Sequence, residues 1–535
     1  MQTKLRNDLW ITKRSADVLA YDKFVLQVFA LTGLIGIGYL LEWWFRIVHI
    51  GNLVLYVILS TFFWYSILRL LLIWVNYLWI SKPLIVPKPA ENLSVAVFTT
   101  AAPGEPLSMF ENTFKALKNL NYPHTTYLLD STEDLKFKAL AEKYDVVWFD
   151  LANLPGAKAG KVNEALRRTQ EEFILILDPD HIVFPNFLDE TLGFFQDEKV
   201  GFVQVSQGYY NMYRSFVAKG AAEQTYTFYG PTQMGLSGFN GAVAIGANCT
   251  FRREALESIG GHAMGLAEDL QTSIRIHAKG WKSIYNPVMV SRGLVPEDFA
   301  SFSKQQLKWA RGVFELLFDE YPYVIGKLSF WQKISYLAIG TYYLFGTLAF
   351  FFVALPYFYF FLRLIPANMD IFEFVQKGIV VLMAAISIYL YIQKFLVDKK
   401  TESGFHWRGM ILKFSTVPLF FYAFILTLLK KKIPYIPTEK MANRKFYSVF
   451  LLPSIIYSTV FILTAFGEYV YRRFYIPESE LYFTRQMTWG MLAFGFVVFI
   501  QAIVGMYFAW QSSKIKVENA WERIQINEDK TFSIR

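Results

Sequence analysis

Residues 173–188 read FILILDPDHIVFPNFL: five apolar residues run without a break into Asp178, Pro179, Asp180 and His181. An apolar run of this length, closed by a turn, predicts a strand buried on both faces of a sheet. Two carboxylates one residue apart at such a strand end can hold a hard divalent cation through oxygen ligands while that cation bridges the phosphates of a nucleotide sugar. The same triplet also suits a solvated turn whose Asp caps a helix.

Working outward, short β-branched or aromatic runs alternate with amphipathic helical patterns from 91 to about 325, the signature of an α/β domain. Candidate strands are SVAVFTT from Ser94, TTYLLD ending at Asp130, DVVWFD ending at Asp150 and GFVQV from Gly201, with helices such as 106–120 and 134–144 as crossovers. Ligands of open α/β sheets bind beyond the carboxyl ends of the strands, where Asp130 and Asp178 fall.

The rest of the chain is of another kind. Apolar runs near 24–48, 53–80, 334–362, 374–397, 446–471 and 486–510 are each close to or above the ~20 residues needed to cross a bilayer. A further stretch, 407–429, carries Arg408 and Lys413 early and Lys430, Lys431 and Lys432 at its end, and reads as an interfacial helix, with a true span as the alternative. With 54% hydrophobic and 18% aromatic residues over 535 positions and a mean hydropathy of +0.28, the chain is too apolar for a soluble protein. Its net charge of +9 lies beside the apolar runs, where it meets anionic lipid headgroups, so nucleic acid is excluded as a partner. Lys4, Arg6, Lys13, Arg14 and Lys23 before the first run, Lys82 and Lys88 after the second, and Lys399 and Lys400 after the fourth place the central region in the cytosol. The first 23 residues lack the pattern of a cleavable signal, so the first run is a retained anchor. The single Cys249 excludes a disulfide framework.

Two further stretches bear chemistry. Glu268 and Asp269 follow GGHAMG and open a helical pattern, LQTSIRIHAKG. Acids in a first turn complement the helix dipole, and one of them can also serve as the carboxylate that takes a proton from an attacking sugar hydroxyl. In SFSKQQLKWARG, Gln305, Lys308 and Trp309 fall on an amphipathic helix ahead of the third apolar run. Trp309 suits the apolar face of a sugar ring, and equally an interfacial belt. Arg69, well inside the second run, is costly there unless it faces protein, water or a polymer path, and a channel-facing role follows. Glu42 and Arg46, four apart, form an ion pair at the outer interface.

The order AAPGEP (101–106), Asp130, KAGKVNEAL (158–166), DPDH (178–181), FYGPTQMG (228–235), AED (267–269) and QQLKW (305–309) resembles the processive family-2 inverting glycosyltransferases, cellulose synthases above all, over essentially the whole chain. YIPTEK (435–440) resembles that family's gating loop. The resemblance implies an α-helical polytopic membrane protein, about six transmembrane helices plus interfacial helices, with a cytosolic α/β domain of the GT-A type. Its implied layout is 1–82 with two transmembrane helices, 83–325 as the transferase domain, 326–511 with four more helices and the loop, and 512–535 as a short cytosolic tail. Asp130, Lys158, Asp178, Thr438 and Lys440 would then contact the nucleotide sugar, and Asp178 and Asp180 would hold Mg²⁺ or Mn²⁺. Asp269 would be the general base, and Gln305, Lys308, Trp309 and the backbone-rich segment Gly246–Cys249 would line the acceptor site.

The implied activity is polymerisation of a UDP-sugar, UDP-glucose into a β-glucan, with export of the polymer through the enzyme's own helices at the plasma (inner) membrane. The implied partners are the donor, the growing polysaccharide, membrane lipids and an accessory export or regulatory subunit; 512–535 leaves no room for a cyclic-dinucleotide-binding domain. Departures from the family pattern touch the site that sets linkage: Leu129-Asp130-Ser131 for Asp-Asp-Gly, Lys308 for an Arg that would grip phosphate with two parallel bonds, and Pro437 for Val. Alternative readings are a synthase of hyaluronan, chitin, mixed-linkage or β-1,3-glucan, or a non-processive transferase acting on a lipid-linked acceptor. A transporter with a cytosolic binding module leaves DPDH, AED and QQLKW unexplained.

Overall fold

The computed structural model describes residues 9–152, 154, 156–431, 448–476, 478–514, 519–527 and 530–534. The described chain opens on a short strand, β1 (Lys13–Arg14), and two long apolar helices, α1 (Ala20–Trp44) and α2 (Leu53–Leu78). An α/β region follows with β2 (Val95–Ala101), α3 (Leu107–Lys118), β3 (Thr125–Asp130), α4 (Leu135–Lys143), β4 (Val147–Asp150), α5 (Ala157–Arg168), β5 (Phe173–Leu177) and β6 (Ile182–Val183). It continues through β7 (Val200–Tyr209), α6 (Phe216–Thr227), β8 (Cys249–Arg252), α7 (Glu268–Ala278), β9 (Lys282–Gly293) and α8 (Phe299–Glu315).

The strands form one mixed sheet in the order β1-β9-β7-β8-β5-β2-β3-β4, with β6 added on β9. Parallel pairing joins β5, β2, β3 and β4, and β8 runs antiparallel between β5 and β7. Side chains of successive strand residues point to opposite faces. Val95, Val97, Leu175 and Leu177 therefore meet Phe110, Phe114 and Phe137 of α3 and α4 on one face. Ala96, Phe98, Ile174 and Ile176 meet Val162 and Ala165 of α5 on the other. The predicted strands and crossovers lie within a few residues of these elements. Strands β1, β6, β8 and β9 were not anticipated: β9 carries Asn286 and Pro287 and shifts register against β7, which hides its period.

After α8 come α9 (Phe330–Gly340), α10 (Leu344–Leu362), α11 (Ile371–Ile392), α12 (Trp407–Ser415), α13 (Val417–Leu428), α14 (Leu452–Phe474) and α15 (Glu478–Ser512). Among the described residues, six helices are long and apolar enough to cross a membrane: α1, α2, α10, α11, α14 and α15. The shortest, α10 with 19 residues, is about 28 Å long, close to the ~30 Å hydrocarbon core of a bilayer. Large apolar side chains such as Leu31, Ile35, Leu68, Leu382 and Leu463 stand exposed along these helices, a surface that suits lipid and not water.

One predicted span is divided. The 334–362 run breaks at Thr341–Tyr343, and α9 becomes a separate helix, started by a Ser329–Gln332 capping box and pinned through Tyr336 to the α/β region. The 407–429 stretch is bent by 47° between α12 and α13. Its first half packs on α6, where Gly409 N–H donates to Glu223 Oε2 at 3.0 Å and a Cβ at Gly220 would strike Leu412. Glu42 and Arg46 do form an exposed ion pair at 2.8 Å. The described part of the tail folds back: Trp521 is buried with its indole N–H on Ser108, and β10 (Ile524–Ile526) pairs with β11 (Phe532–Ile534).

Candidate active site

Strand β5 carries Asp178 to its carboxyl end, and the turn into β6 supplies Asp180 and His181. One ligand atom from each of the three lies within 4.8 Å of the other two. The two carboxylates suit Mn²⁺ or Mg²⁺, which prefer hard oxygen donors, and the imidazole is the softer third group of the cluster. Asp180 is 3% exposed, and its Oδ2 accepts the Leu294 N–H at 2.9 Å, so the chain just past β9 fixes the carboxylate. At Gly293 an added Cβ would come within 2.6 Å of the His181 ring, which explains a residue without a side chain there.

Lys158 sits at the start of α5, after Gly156 in the left-handed region at φ 90°. Its buried ammonium donates to Asp178 Oδ1 at 2.5 Å and to the Gly246 carbonyl. Burial alone would lower its pKa, but the carboxylates of Asp178, Glu268 and Asp269 outweigh it and raise the value above that of an ordinary lysine. Lys158 therefore remains a cation beside the acidic pair.

Asp269 stands in the first turn of α7, its Oδ1 accepting the Leu270 N–H at 2.8 Å. Withdrawal from solvent, followed by the neighbouring Glu268 charge, pushes its carboxyl up to about 7. A carboxylate tuned to neutrality is matched to proton transfer, whereas a plain dipole complement would titrate low. The far end of α7 is held by His277, bonded to Tyr336 of α9 at 2.7 Å and to Ser283 of β9 at 2.9 Å.

A cavity of about 470 Å³ joins these groups. Lys158, Asp178, Asp180, His181 and Asp269 line it together with Gln305, Lys308 and Trp309 of α8, so these sequence-derived candidates meet in one place. It continues between α2 and α9 to Arg69, whose guanidinium donates to the Ala338 carbonyl and lies over the Tyr342 ring, 5.5 Å from its centroid.

Two candidates are not among the lining residues. Asp130, at the end of β3, is 2% exposed, with one oxygen on the Thr132 N–H and the other on the Trp148 indole, 2.8 and 2.9 Å away. Cys249 turns inward in β8, although Gly246 of the same segment reaches the cavity. Thr438 and Lys440 lie outside the described residues. Sequence reasoning missed His181 as a third member of the cluster, although it is printed in DPDH, and the Leu294 N–H, because a backbone donor leaves no mark in the letters.

A family model described as glycosyl transferase family group 2 matches residues 173–498. Among curated proteins, the UDP-forming cellulose synthase catalytic subunit of Xanthomonas axonopodis pv. citri (strain 306) is 28% identical over 294 residues, 53% of this chain and 40% of that protein. Its counterpart of the same description from Pseudomonas fluorescens (strain SBW25) is 28% identical over 273 residues, 48% of this chain and 36% of the relative. The chain thus matches less than half the length of these relatives. Among solved structures, the mannosyltransferase PcManGT from Pyrobaculum calidifontis in complex with GDP-Man and Mn²⁺ is similar with a TM-score of 0.48 and 17% identity, covering 71% of this chain and 100% of that one.

Proposed function

Because the chain belongs to glycosyl transferase family group 2, we propose that it is an inverting, processive transferase that polymerises a UDP-sugar, UDP-glucose into a cellulose-like β-glucan, at the cytosolic face of the plasma membrane and passes the product out between its own helices. The carrying observation is the cavity that Asp178, Asp180, His181, Asp269 and Trp309 line together and that runs on between α2 and α9.

In this reading Asp178, Asp180 and His181 hold Mn²⁺ or Mg²⁺, which when bound offsets the charge developing on the leaving diphosphate. Lys158 adds a fixed cation beside Asp178. Trp309 offers its ring to the terminal sugar of the acceptor, while Gln305 and Lys308 reach hydroxyls from the same helix. Asp269 takes the proton of the attacking hydroxyl as the new bond to the anomeric carbon forms and the bond to UDP breaks; inversion follows from this single displacement. On the strength of the family resemblance the loop residues Thr438 and Lys440 complete the nucleotide contacts, and Asp130 joins them by giving up its bond to Thr132 or Trp148.

The test is direct. The full chain in detergent, given each UDP-sugar in turn with Mn²⁺, is expected to release UDP from UDP-glucose and to build a high-molecular-weight product that β-glucanases digest. Digestion only by enzymes specific for another polymer would change the product, an organic-extractable product would favour a lipid acceptor, and absence of UDP release from every donor would end the reading. The path itself is tested at Arg69. Arg69→Leu removes a cation from the α2–α9 end of the cavity and is expected to shorten the polymer with initial UDP release retained; unchanged polymer length would remove Arg69 from the path.

A further inference from the structure

We propose that Arg292 is a positioning residue for Asp180, anchoring the metal-binding carboxylate to the segment that follows α11. The proposal rests on the reading of Asp178, Asp180 and His181 as a cation site.

Three contacts bring the end of β9 against the DPDH turn. Ile182 of β6 pairs with Arg292, a Cβ at Gly293 would strike the His181 ring, and the Leu294 N–H donates to Asp180 Oδ2 at 2.9 Å. Where β9 ends thus determines where Asp180 stands.

The Arg292 side chain runs the other way. It is 1% exposed, donates through Nε to the Leu9 carbonyl, and faces Asp398, itself 3% exposed, as a charge pair beyond hydrogen-bond length, with Nη2 3.6 Å from Oδ2. Asp398 opens the turn after α11: it accepts the Lys400 N–H at 3.2 Å, and its own N–H donates to Glu402 Oε2 at 3.2 Å. His406 bonds back to the Glu402 carbonyl at 2.7 Å, and Arg408 of α12 pairs with Glu223 of α6 at 3.0 Å. A guanidinium does not give up its proton in a protein, and a buried one is stabilised by a carboxylate placed to balance its charge. Arg292 is therefore the point where the strand end beside Asp180 and the loop leading to α12 face each other as opposite buried charges. Without the cation, Asp398 and Glu402 are left side by side in a buried place, the strand end shifts, and Leu294 no longer presents its N–H to Asp180.

Groups that orient a metal ligand from behind change metal affinity by ~10- to 100-fold when replaced. In the detergent-solubilised full chain, Mn²⁺ binding is read from loss of the free-ion electron paramagnetic resonance signal, without turnover. Arg292→Met is expected to weaken Mn²⁺ binding by about tenfold or more, with turnover approaching that of the unaltered protein once Mn²⁺ saturates. Arg292→Lys, which keeps a cation opposite Asp398, falls between. Asp398→Asn moves affinity the same way, and combining it with Arg292→Met costs less than the two losses together, because both break one contact. Asp398→Asn, which keeps the shape and the turn, carries the test if Arg292→Met does not fold. Mn²⁺ affinity unchanged in Asp398→Asn and Arg292→Lys would overturn the role of Arg292. Absence of Mn²⁺ binding by the unaltered protein would instead overturn the cation site on which the proposal stands.

Discussion

Asp269→Asn is expected to lower turnover by about 10³-fold, within the range that a positioned general base contributes, while Mn²⁺-dependent binding of the donor persists. The exchange is nearly isosteric, and the Asn carbonyl oxygen can still accept the Leu270 N–H that Asp269 Oδ1 accepts at 2.8 Å. The amide cannot take a proton. Relief from the Glu268 charge, which helps push the Asp269 carboxyl up to about 7, leaves the fold no less stable. The same value sets the sign of the pH dependence. Below about 7 the carboxyl is protonated and cannot act as a base, so kcat/KM rises with pH through about 7 and levels above it. In Asp269→Asn that rise is expected to vanish from the residual rate. Initial rates of UDP release across pH 5.5–8.5, roughly one and a half units to either side, measure both. A variant that polymerises at the rate of the unaltered protein, or that keeps the rise near 7, would exclude Asp269 as the base.

Much of this site was legible because its parts are printed next to one another. FILIL followed by DPDH states a buried strand and its acidic end in nine letters, and β5 with the Asp178–Asp180–His181 cluster occupies those positions. The membrane helices were legible for a similar reason, since length and apolarity are summed locally. What escaped depends on partners far apart in the chain. Strand β9 has a blurred period, with Asn286 turned to Glu190 and Pro287 in mid-strand, and it is held in place by pairing with β7. The break at Thr341–Tyr343 falls in a run that hydropathy alone would continue; Tyr336, bonded to His277 about sixty residues earlier, draws α9 onto the α/β region. Asp130 shows the reverse case. Its place at a strand end was read correctly, yet both its oxygens are engaged by Thr132 and Trp148, which no spacing in the sequence announces.

The second large effect concerns Asp180. Asp180→Asn is expected to abolish Mn²⁺-dependent polymer formation, with membrane insertion and extraction into detergent unaffected. The side chain is 3% exposed, its Oδ2 accepts the Leu294 N–H, and its Oδ1 lies 3.9 Å from His181 Nδ1. An Asn keeps that backbone bond by presenting its own carbonyl oxygen to Leu294, and the atom left facing Asp178 and His181 is then an NH₂ group, a donor where a ligand is needed. Geometry is preserved and ligation is reversed in sign. Loss of a cation that offsets leaving-group charge removes several kcal/mol of transition-state stabilisation, roughly 100-fold or more in rate. Lys158 does not replace it: its ammonium is already held by Asp178 and the Gly246 carbonyl. The variant should therefore bind Mn²⁺ weakly in the resonance assay and gain little activity from added metal. Product formation with an unchanged dependence on Mn²⁺ would show that the cation, if one acts, is held elsewhere.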